Sequence, residues 1–137
     1  MPADLYRDFL KSDDTLRVYV GDMQAFASKK DRLLPMLDYL DAYGAVCQTV
    51  VIYDKVMGNA AALLAVRANA REVYSPLGSE NAVKTLQKHG IAHHLDKIVP
   101  CIMRDDGQDI CPMEKLSLGK SPGQFYKVMK AKAKQKA

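Results

Sequence analysis

The spacing of hydrophobic residues predicts a helix and then a hairpin at the start of the chain. Apolar residues within 5–10 recur at helical spacing and predict a short first helix. Residues 15–20 alternate between apolar and other side chains, which is typical of a strand with one buried face. Gly21-Asp22 predicts a tight turn into a second extended segment over 23–28, so these two strands are expected to form a hairpin.

The middle of the chain alternates between helical and extended patterns. Leucines recur at helical spacing over 33–43, and the β-branched run at 49–53 is typical of a strand covered on both faces. Residues 59–68 have a strong helix composition, and 72–75 predict another strand. A further helix is expected over 79–89, where Ser79 is suited to cap its start.

The last third of the chain predicts one more strand and a short helix. Residues 91–94 are expected to be extended, whereas 95–99 fit either a helix or a strand. A short helix is expected from Pro112, after a polar turn at 104–107. Strands that alternate with helices predict an α/β fold, in which a sheet carries helices on both faces and the hairpin forms an antiparallel edge.

Composition and charge divide the chain into two parts. Its 137 residues are 48% hydrophobic and 26% charged, which is typical of one globular domain and not of a disordered chain. The net charge is +4, but residues 120–137 contain six lysines and no acid, which leaves −2 on residues 1–119. We therefore expect a single domain over 1–119 and a flexible basic tail over 120–137.

The cysteines and the apolar runs indicate a cytoplasmic protein. The three cysteines are an odd number without a CxxC pair, which fits a reducing compartment. The first residues lack the basic and apolar runs of a signal peptide, and the longest nearly uncharged run, 43–53, is too short to span a bilayer. The expected partners therefore do not include a membrane.

The first candidate for chemistry follows the buried strand at 49–53. Asp54 and Lys55 leave this strand, and Gly58 and Asn59 open the next helix. Ligands in α/β proteins bind at the carboxyl ends of strands, so Lys55 could bind an anion and Asp54 could orient it. Gly58 would let a ligand or another backbone approach closely. In the alternative interpretation Asp54 caps a helix, Lys55 is solvated and the small residues only aid packing.

The second candidate is the sequence Cys111-Pro112-Met113-Glu114. Pro is favoured at the first position of a helix, so Cys111 would be the N-cap and Glu114 the third helical residue. A thiol at a helix N-terminus is a better nucleophile, because the helix dipole stabilises the thiolate. Glu114 could act as a general acid or base, or it could bind backbone N–H groups as a cap. In the alternative interpretation Cys111 is an inert residue of an N-terminal turn.

Ser79 and Glu80 follow the next strand and therefore fall on the same sheet edge as Asp54. They are expected to cap a helix, and with Gly58 and Asn59 they complete the predicted ligand-binding set. No metal site and no cofactor are expected. The histidines, at 89, 93 and 94, lack the carboxylate or CxxC partners of a metal site, and the sequence contains no P-loop, GxGxxG or GxSxG motif.

Five segments together resemble a small prokaryotic family, the domain of unknown function 1893, which is grouped with the cytidine-deaminase-like superfamily. These segments are 53–62, 72–74, 79–82, 99–100 and 111–114. The resemblance runs from about residue 10 to residue 118. It implies a three-layer α-β-α sandwich around a mixed sheet of about five strands, with which the element order is compatible.

The resemblance does not extend to a zinc-dependent deaminase mechanism. Zinc deaminases carry His or Cys with a catalytic Glu at one helix start and a PCxxC pair at the next. The corresponding helix starts here, 30–32 and 54–58, contain none of these ligands. What the resemblance implies is the pocket position of the superfamily, occupied in this sequence by Asp54 and Lys55 together with Cys111 and Glu114.

Two functions follow, and the sequence leaves both open. In the first, a zinc-independent site binds a small nucleotide-like or anionic molecule and Cys111 acts as nucleophile, with Lys55 and Asp54 in support. In the second, the chain is a non-catalytic binding or regulatory module that kept the fold. Nucleic-acid binding through the basic tail ranks last, because only Phe125 and Tyr126 could stack on bases. Assembly into a homo-oligomer stays open.

Overall fold

The computed structural model describes residues 2–30, 33–43, 48–103 and 112–136. Six helices and five strands lie within these ranges. The helices are α1 (Pro2–Lys11), α2 (Leu34–Tyr43), α3 (Asn59–Arg67), α4 (Glu80–Lys88), α5 (Pro112–Ser117) and α6 (Pro122–Lys136). The strands are β1 (Leu16–Val20), β2 (Met23–Ser28), β3 (Val50–Asp54), β4 (Ala70–Ser79) and β5 (Ala92–Val99).

The five strands form one mixed sheet in the order β2-β1-β3-β4-β5. Strand β1 is antiparallel to both β2 and β3, whereas β3, β4 and β5 run parallel to one another. The turn between β1 and β2 contains Gly21 at φ 60°, a left-handed conformation that glycine adopts without strain. The predicted α/β class, the element order and the antiparallel hairpin at the sheet edge are therefore confirmed.

Alternate residues of the central strand face two separate cores. Val50 and Ile52 are fully buried in the larger core, which also contains residues of α2, α3 and α4. Val51 and Tyr53 point to the other face, where they pack with Phe9 of α1. The sheet thus carries helices on both faces, as a three-layer sandwich requires.

Helix α3 is buried along most of its length and contacts four other helices. Its residues from Asn59 to Ala65 are all buried, and the helix packs against α2, α4, α5 and α6. Alanine at positions 60–62 presents little side chain, so neighbouring backbones can approach closely. The start of this helix is therefore held inside the protein and not on its surface.

Strands β4 and β5 are longer than their local patterns predict. Strand β4 runs to Ser79, and the open segment 95–99 is part of β5. The two strands pair in parallel from Glu72 with Ala92 to Ser79 with Val99. Because the end of β4 contains Pro76 and Gly78, its extended conformation depends on this pairing, which a local pattern does not reveal.

The structure differs from the prediction of a flexible tail at 120–137. Residues Pro122–Lys136 form helix α6, and its Phe125 and Met129 side chains are 0% and 8% exposed in the larger core. These two residues lie one turn apart and pack toward α3, so the domain does not end at 119. The prediction missed this helix because Phe125 and Met129 are two apolar side chains in a lysine-rich segment.

The predicted polar turn at 104–107 falls outside the described residues. Among the helices that the structure describes, none has the length and the apolar character needed to cross a membrane.

Candidate functional site

The start of α3 binds a carboxylate that comes from a distant part of the chain. Glu114 of α5 is only 2% exposed. The backbone N–H of Asn59 donates to its Oε1 at 2.8 Å, and the N–H of Ile102 donates to its Oε2 at 2.9 Å. Glu114 therefore caps α3 from outside, where the helix dipole favours a negative charge.

Ser79 connects the same carboxylate to helix α4. Its Oγ accepts a hydrogen bond from the N–H of Ala82 at 3.1 Å, which confirms Ser79 as the N-cap of α4. The Ser79 hydroxyl also donates to Glu114 Oε1 at 3.4 Å. Glu80, the other member of the predicted pair, begins α4 with an exposed side chain. Glu114 thus lies between the starts of two helices.

Asn59 joins this arrangement through its side chain. Its Nδ2 donates to Ser117 Oγ at 2.9 Å, and the Thr85 hydroxyl donates to its Oδ1. Ser117 in turn donates to the carbonyl oxygen of Glu114 at 2.7 Å. We call these five residues the Glu114 cluster: Asn59, Ser79, Thr85, Glu114 and Ser117. Among the described residues every buried side-chain nitrogen and oxygen has a hydrogen-bond partner. The cluster therefore connects α3, α4 and α5 through side chains whose hydrogen bonds are all satisfied.

Gly58 leaves room for the close approach of Glu114 and Ile102. Its backbone is extended, with φ −80° and ψ 177°, so any residue could adopt its conformation. A Cβ atom at Gly58 would lie 3.0 Å from Ile102 Cγ1 and 3.2 Å from Glu114 Oε2. The predicted close approach at Gly58 is therefore made by the chain itself.

Asp54 has a different environment at the end of β3. It follows Ile52 on the face of the larger core, and its side chain is partly buried. Its Oδ1 accepts one hydrogen bond of 3.4 Å, from the N–H of Val56. Burial raises the pKa of Asp54 from 3.8 to about 7, while hydrogen bonds from the backbone of Val56 and Lys55 lower it in part. Within the described ranges no cation pairs with this carboxyl.

Lys55 is directed away from Asp54. Its Nζ donates to the carbonyl oxygen of Ser12 at 2.9 Å and lies 4.6 Å from the centre of the Phe9 ring. Both partners belong to the α1 side of the sheet. Successive residues at a strand end point to opposite faces, so the predicted orientation of Lys55 by Asp54 is wrong. The Lys55 ammonium instead binds the carbonyl end of α1, where a cation is favourable.

The second predicted motif is described only from Pro112 onward. Helix α5 begins at Pro112, as expected, but Glu114 caps α3 and not its own helix. Cys111 lies outside the described residues, so its role as nucleophile stays a prediction. Sequence reasoning missed Thr85, Ile102 and Ser117, since no local pattern signals contacts with partners up to 58 residues away.

Comparison with known proteins identifies the family of this chain. Residues 6–132 match the model of a family described as a domain of unknown function (DUF1893). The chain belongs to this family. The crystal structure of a DUF1893 family protein from Thermotoga maritima is 25% identical to it, with a TM-score of 0.86. The similarity covers 96% of this chain and 88% of that one. No curated protein matches the chain significantly.

The family match extends past the end of the resemblance in the sequence. It includes residues 119–132 and therefore most of α6, whereas the sequence motifs ended at 118. Helix α6 is thus part of the DUF1893 domain. The large structural overlap agrees with the mixed α/β sheet described above.

Proposed function

We propose that this DUF1893 protein binds a small polar molecule at the carboxyl edge of β3 and β4, in contact with Asp54 and without zinc. The ligand is of the nucleotide-like or anionic class. The site lies where α/β proteins bind their ligands, at the end of parallel strands and next to the following helix. Gly58, Asn59 and Ser79, which the sequence placed in the ligand-binding set, are instead in contact with Glu114.

The observation that carries this proposal is the state of Asp54. Burial of its carboxyl raises the pKa to about 7, and its hydrogen-bond donors are the backbone N–H groups of Val56 and Lys55. Such a group exchanges a proton near neutral pH, so it can donate to a ligand, accept from it or act as its general base. A buried carboxyl at a strand end that pairs with no cation of the described residues is a candidate for ligand binding.

The other predicted site residues take supporting roles in this proposal. Glu114 holds the start of α3, and Lys55 holds the end of α1. Neither is placed to act on a ligand beside Asp54. Cys111 directly precedes Pro112 in the sequence, and α5 is tied to α3 through Glu114. We therefore keep Cys111 as the proposed nucleophile toward a ligand held by Asp54.

A non-catalytic binding or regulatory module is the second candidate, and the Glu114 cluster favours it. If the fold belongs to the cytidine-deaminase-like superfamily, the start of α3 corresponds to the PCxxC zinc ligands. In this chain the same position binds the carboxylate of Glu114. A protein that replaced its metal site with a saturated cap would retain the fold and the adjacent ligand position, but not the deaminase chemistry.

Thermal denaturation with a ligand library tests the binding proposal. A ligand that binds only the native state raises the Tm. Nucleosides, nucleotides and small acids are screened against the wild type, Asp54→Asn and the control Asp13→Asn, whose side chain is exposed. We expect a ligand whose Tm shift is kept in the control and lost in Asp54→Asn. A ligand with the same shift in all three proteins would place the site elsewhere.

The role of Cys111 separates the two candidates. The bound ligand is incubated with the wild type and with Cys111→Ser, and its mass is followed over time. Conversion by the wild type that Cys111→Ser abolishes, while the Tm shift persists, supports a nucleophilic cysteine. Binding without conversion contradicts the enzyme and leaves the binding module.

A further inference from the structure

Helix α6 presents lysines on a rigid support. Phe125 and Met129 fix the helix in the larger core, while Lys127 is exposed and Lys130 is partly exposed on the side of the helix that faces away from the core. Exposed Arg67 of α3 lies beside them, with its guanidinium 5.3 Å from the centre of the Tyr126 ring. A groove of about 370 Å³ runs along Tyr126, Lys127, Lys130 and Ala131.

Little negative charge opposes this surface, which we call the α6 face. Residues 120–137 contain no acidic residue, and the remaining chain has a net charge of −2. In the described structure one carboxylate approaches the lysines, since Asp41 accepts from Lys130. The positive charge is therefore concentrated on one helix, and its fixed position distinguishes it from a flexible basic tail.

The chemistry of the α6 face favours phosphate groups over a lipid surface. Phe125 and Met129 of α6 are turned into the core, and none of the large exposed hydrophobic residues in the described structure lies on this helix. The sequence after 132 contains no large apolar residue either. A helix that binds in a membrane interface needs an exposed apolar face, which α6 lacks.

The aromatic residues of α6 are not free to stack on unpaired bases. Phe125 is fully buried. The Tyr126 ring is contacted by Arg67 and Lys130, and its hydroxyl donates to Asp41 at 3.4 Å. Binding of single strands relies on exposed aromatic platforms, whereas binding of a duplex backbone needs only spaced cations.

We propose that the α6 face binds the phosphate backbone of a double-stranded nucleic acid, without sequence specificity. The helix has 15 residues and so extends about 22 Å along the surface. Arg67, Lys127 and Lys130 are the contacting cations. Three phosphate contacts predict a slope of log affinity against log salt of about −3. This proposal reverses the sequence expectation, because the lysines lie on an anchored helix.

The test uses the full chain and a matched pair of charge variants. Lys127→Gln/Lys130→Gln removes two charges from the α6 face, and Lys84→Gln/Lys88→Gln removes two exposed charges from α4. Fluorescence anisotropy follows binding to a labelled DNA duplex of mixed sequence from about 50 to 200 mM salt. An oligothymidylate of equal length and phosphatidylserine vesicles serve as the other probes, and circular dichroism checks that both variants fold.

We expect the wild type and the α4 variant to bind the duplex alike. The α6 variant should bind at least about tenfold more weakly at low salt, with a slope reduced by roughly two. Absence of duplex binding by the wild type at low salt would overturn the proposal. An equal loss in both variants, or tighter binding to the single strand or the vesicles, would also overturn it.

Discussion

Two carboxyl groups lie at the same edge of the sheet, at the two ends of the connection from β3 to α3. Asp54 is the last residue of β3, and Glu114 caps the start of α3. Glu114 is 2% exposed and accepts hydrogen bonds from two backbone N–H groups and one hydroxyl. Asp54 accepts a bond of 3.4 Å from the N–H of Val56. Glu114 is thus the better satisfied carboxylate, whereas burial of the Asp54 carboxyl raises its pKa to about 7, although backbone hydrogen bonds from Val56 and Lys55 lower it in part.

The difference between these two groups separates a structural carboxylate from a candidate functional one. Burial disfavours the charged form of either group, and hydrogen bonds to the charged form offset that cost. At Glu114 the helix starts supply the donors, so the charge stabilises the joint of α3, α4 and α5. At Asp54 the backbone N–H groups of Val56 and Lys55 offset the burial only in part, so a ligand could supply a further partner. The hydrogen-bond donors around a buried carboxyl group, and not its burial alone, therefore distinguish a structural carboxylate from a candidate functional one.

Removal of the Glu114 carboxylate is expected to have the largest effect. Glu114→Ala leaves the buried N–H groups of Asn59 and Ile102 without an acceptor, which lowers the free energy of unfolding by about 3 kcal/mol. Glu114→Gln should cost nearly as much, because its amide NH₂ must face one of these N–H donors. Chemical denaturation measures both changes.

Glu80→Gln provides the control for the Glu114 variants. Glu80 is exposed at the start of α4, where loss of its charge should cost less than about 1 kcal/mol. If Glu114→Gln were as stable as Glu80→Gln, the carboxylate of Glu114 would not be a structural acceptor. The distinction between the two carboxyl groups at this edge would then fail.

The fold could be predicted from the sequence where local pattern and final partner agree. The alternation over 15–20 predicted β1, because alternate apolar residues show which face of a strand is buried. The β-branched run at 49–53 predicted β3, because a continuous apolar composition is typical of a strand buried on both faces. The end of β4 and helix α6 could not be predicted in this way. The first depends on pairing with β5, and the second on two apolar residues that pack toward α3.

The sequence indicated where to look for a candidate site, but not its contacts. The rule that strand ends and helix starts bind ligands drew attention to Asp54, Gly58 and Ser79, whose role in ligand binding stays a prediction. The same rule predicted that Asp54 orients Lys55. Successive residues of a strand point to opposite faces, however, and Lys55 binds the carbonyl oxygen of Ser12 at the end of α1. It also left the partner of Glu114 open, because Asn59 lies 55 residues away along the chain.

Neutralisation of Asp54 should produce a pH-dependent gain in stability. The native carboxyl keeps its proton up to a pKa of about 7, against 3.8 as its ordinary value. The native state therefore binds more protons between these values, and the contribution of Asp54 to stability falls as the pH rises from about 4 to 7. Asp54→Asn removes this loss, so its free energy of unfolding at pH 8 should exceed that of the wild type. We expect a difference on the order of 2 kcal/mol, because partial solvation makes the effect smaller than the full pKa shift implies.

Unfolding curves from pH 4 to pH 8 measure this difference, with Asp13→Asn as the control. The stability of Asp54→Asn relative to the wild type should grow up to about pH 7 and then level off. The exposed control should follow the wild type throughout. A parallel pH profile for Asp54→Asn and the wild type would mean that the carboxyl of Asp54 is as well satisfied as that of Glu114.

Replacement of Lys55 is expected to have the smallest effect and to show which side of the sheet this residue serves. Lys55→Met keeps the aliphatic packing on Phe9 but removes the hydrogen bond to the Ser12 carbonyl and the cation–π contact. These exposed or half-exposed interactions together contribute about 1 kcal/mol or less. The Tm should fall slightly, while the pH dependence assigned to Asp54 and any ligand-induced Tm shift should stay unchanged. A lost ligand shift in Lys55→Met, with the fold intact, would return Lys55 to the ligand site and place it on the same functional side as Asp54.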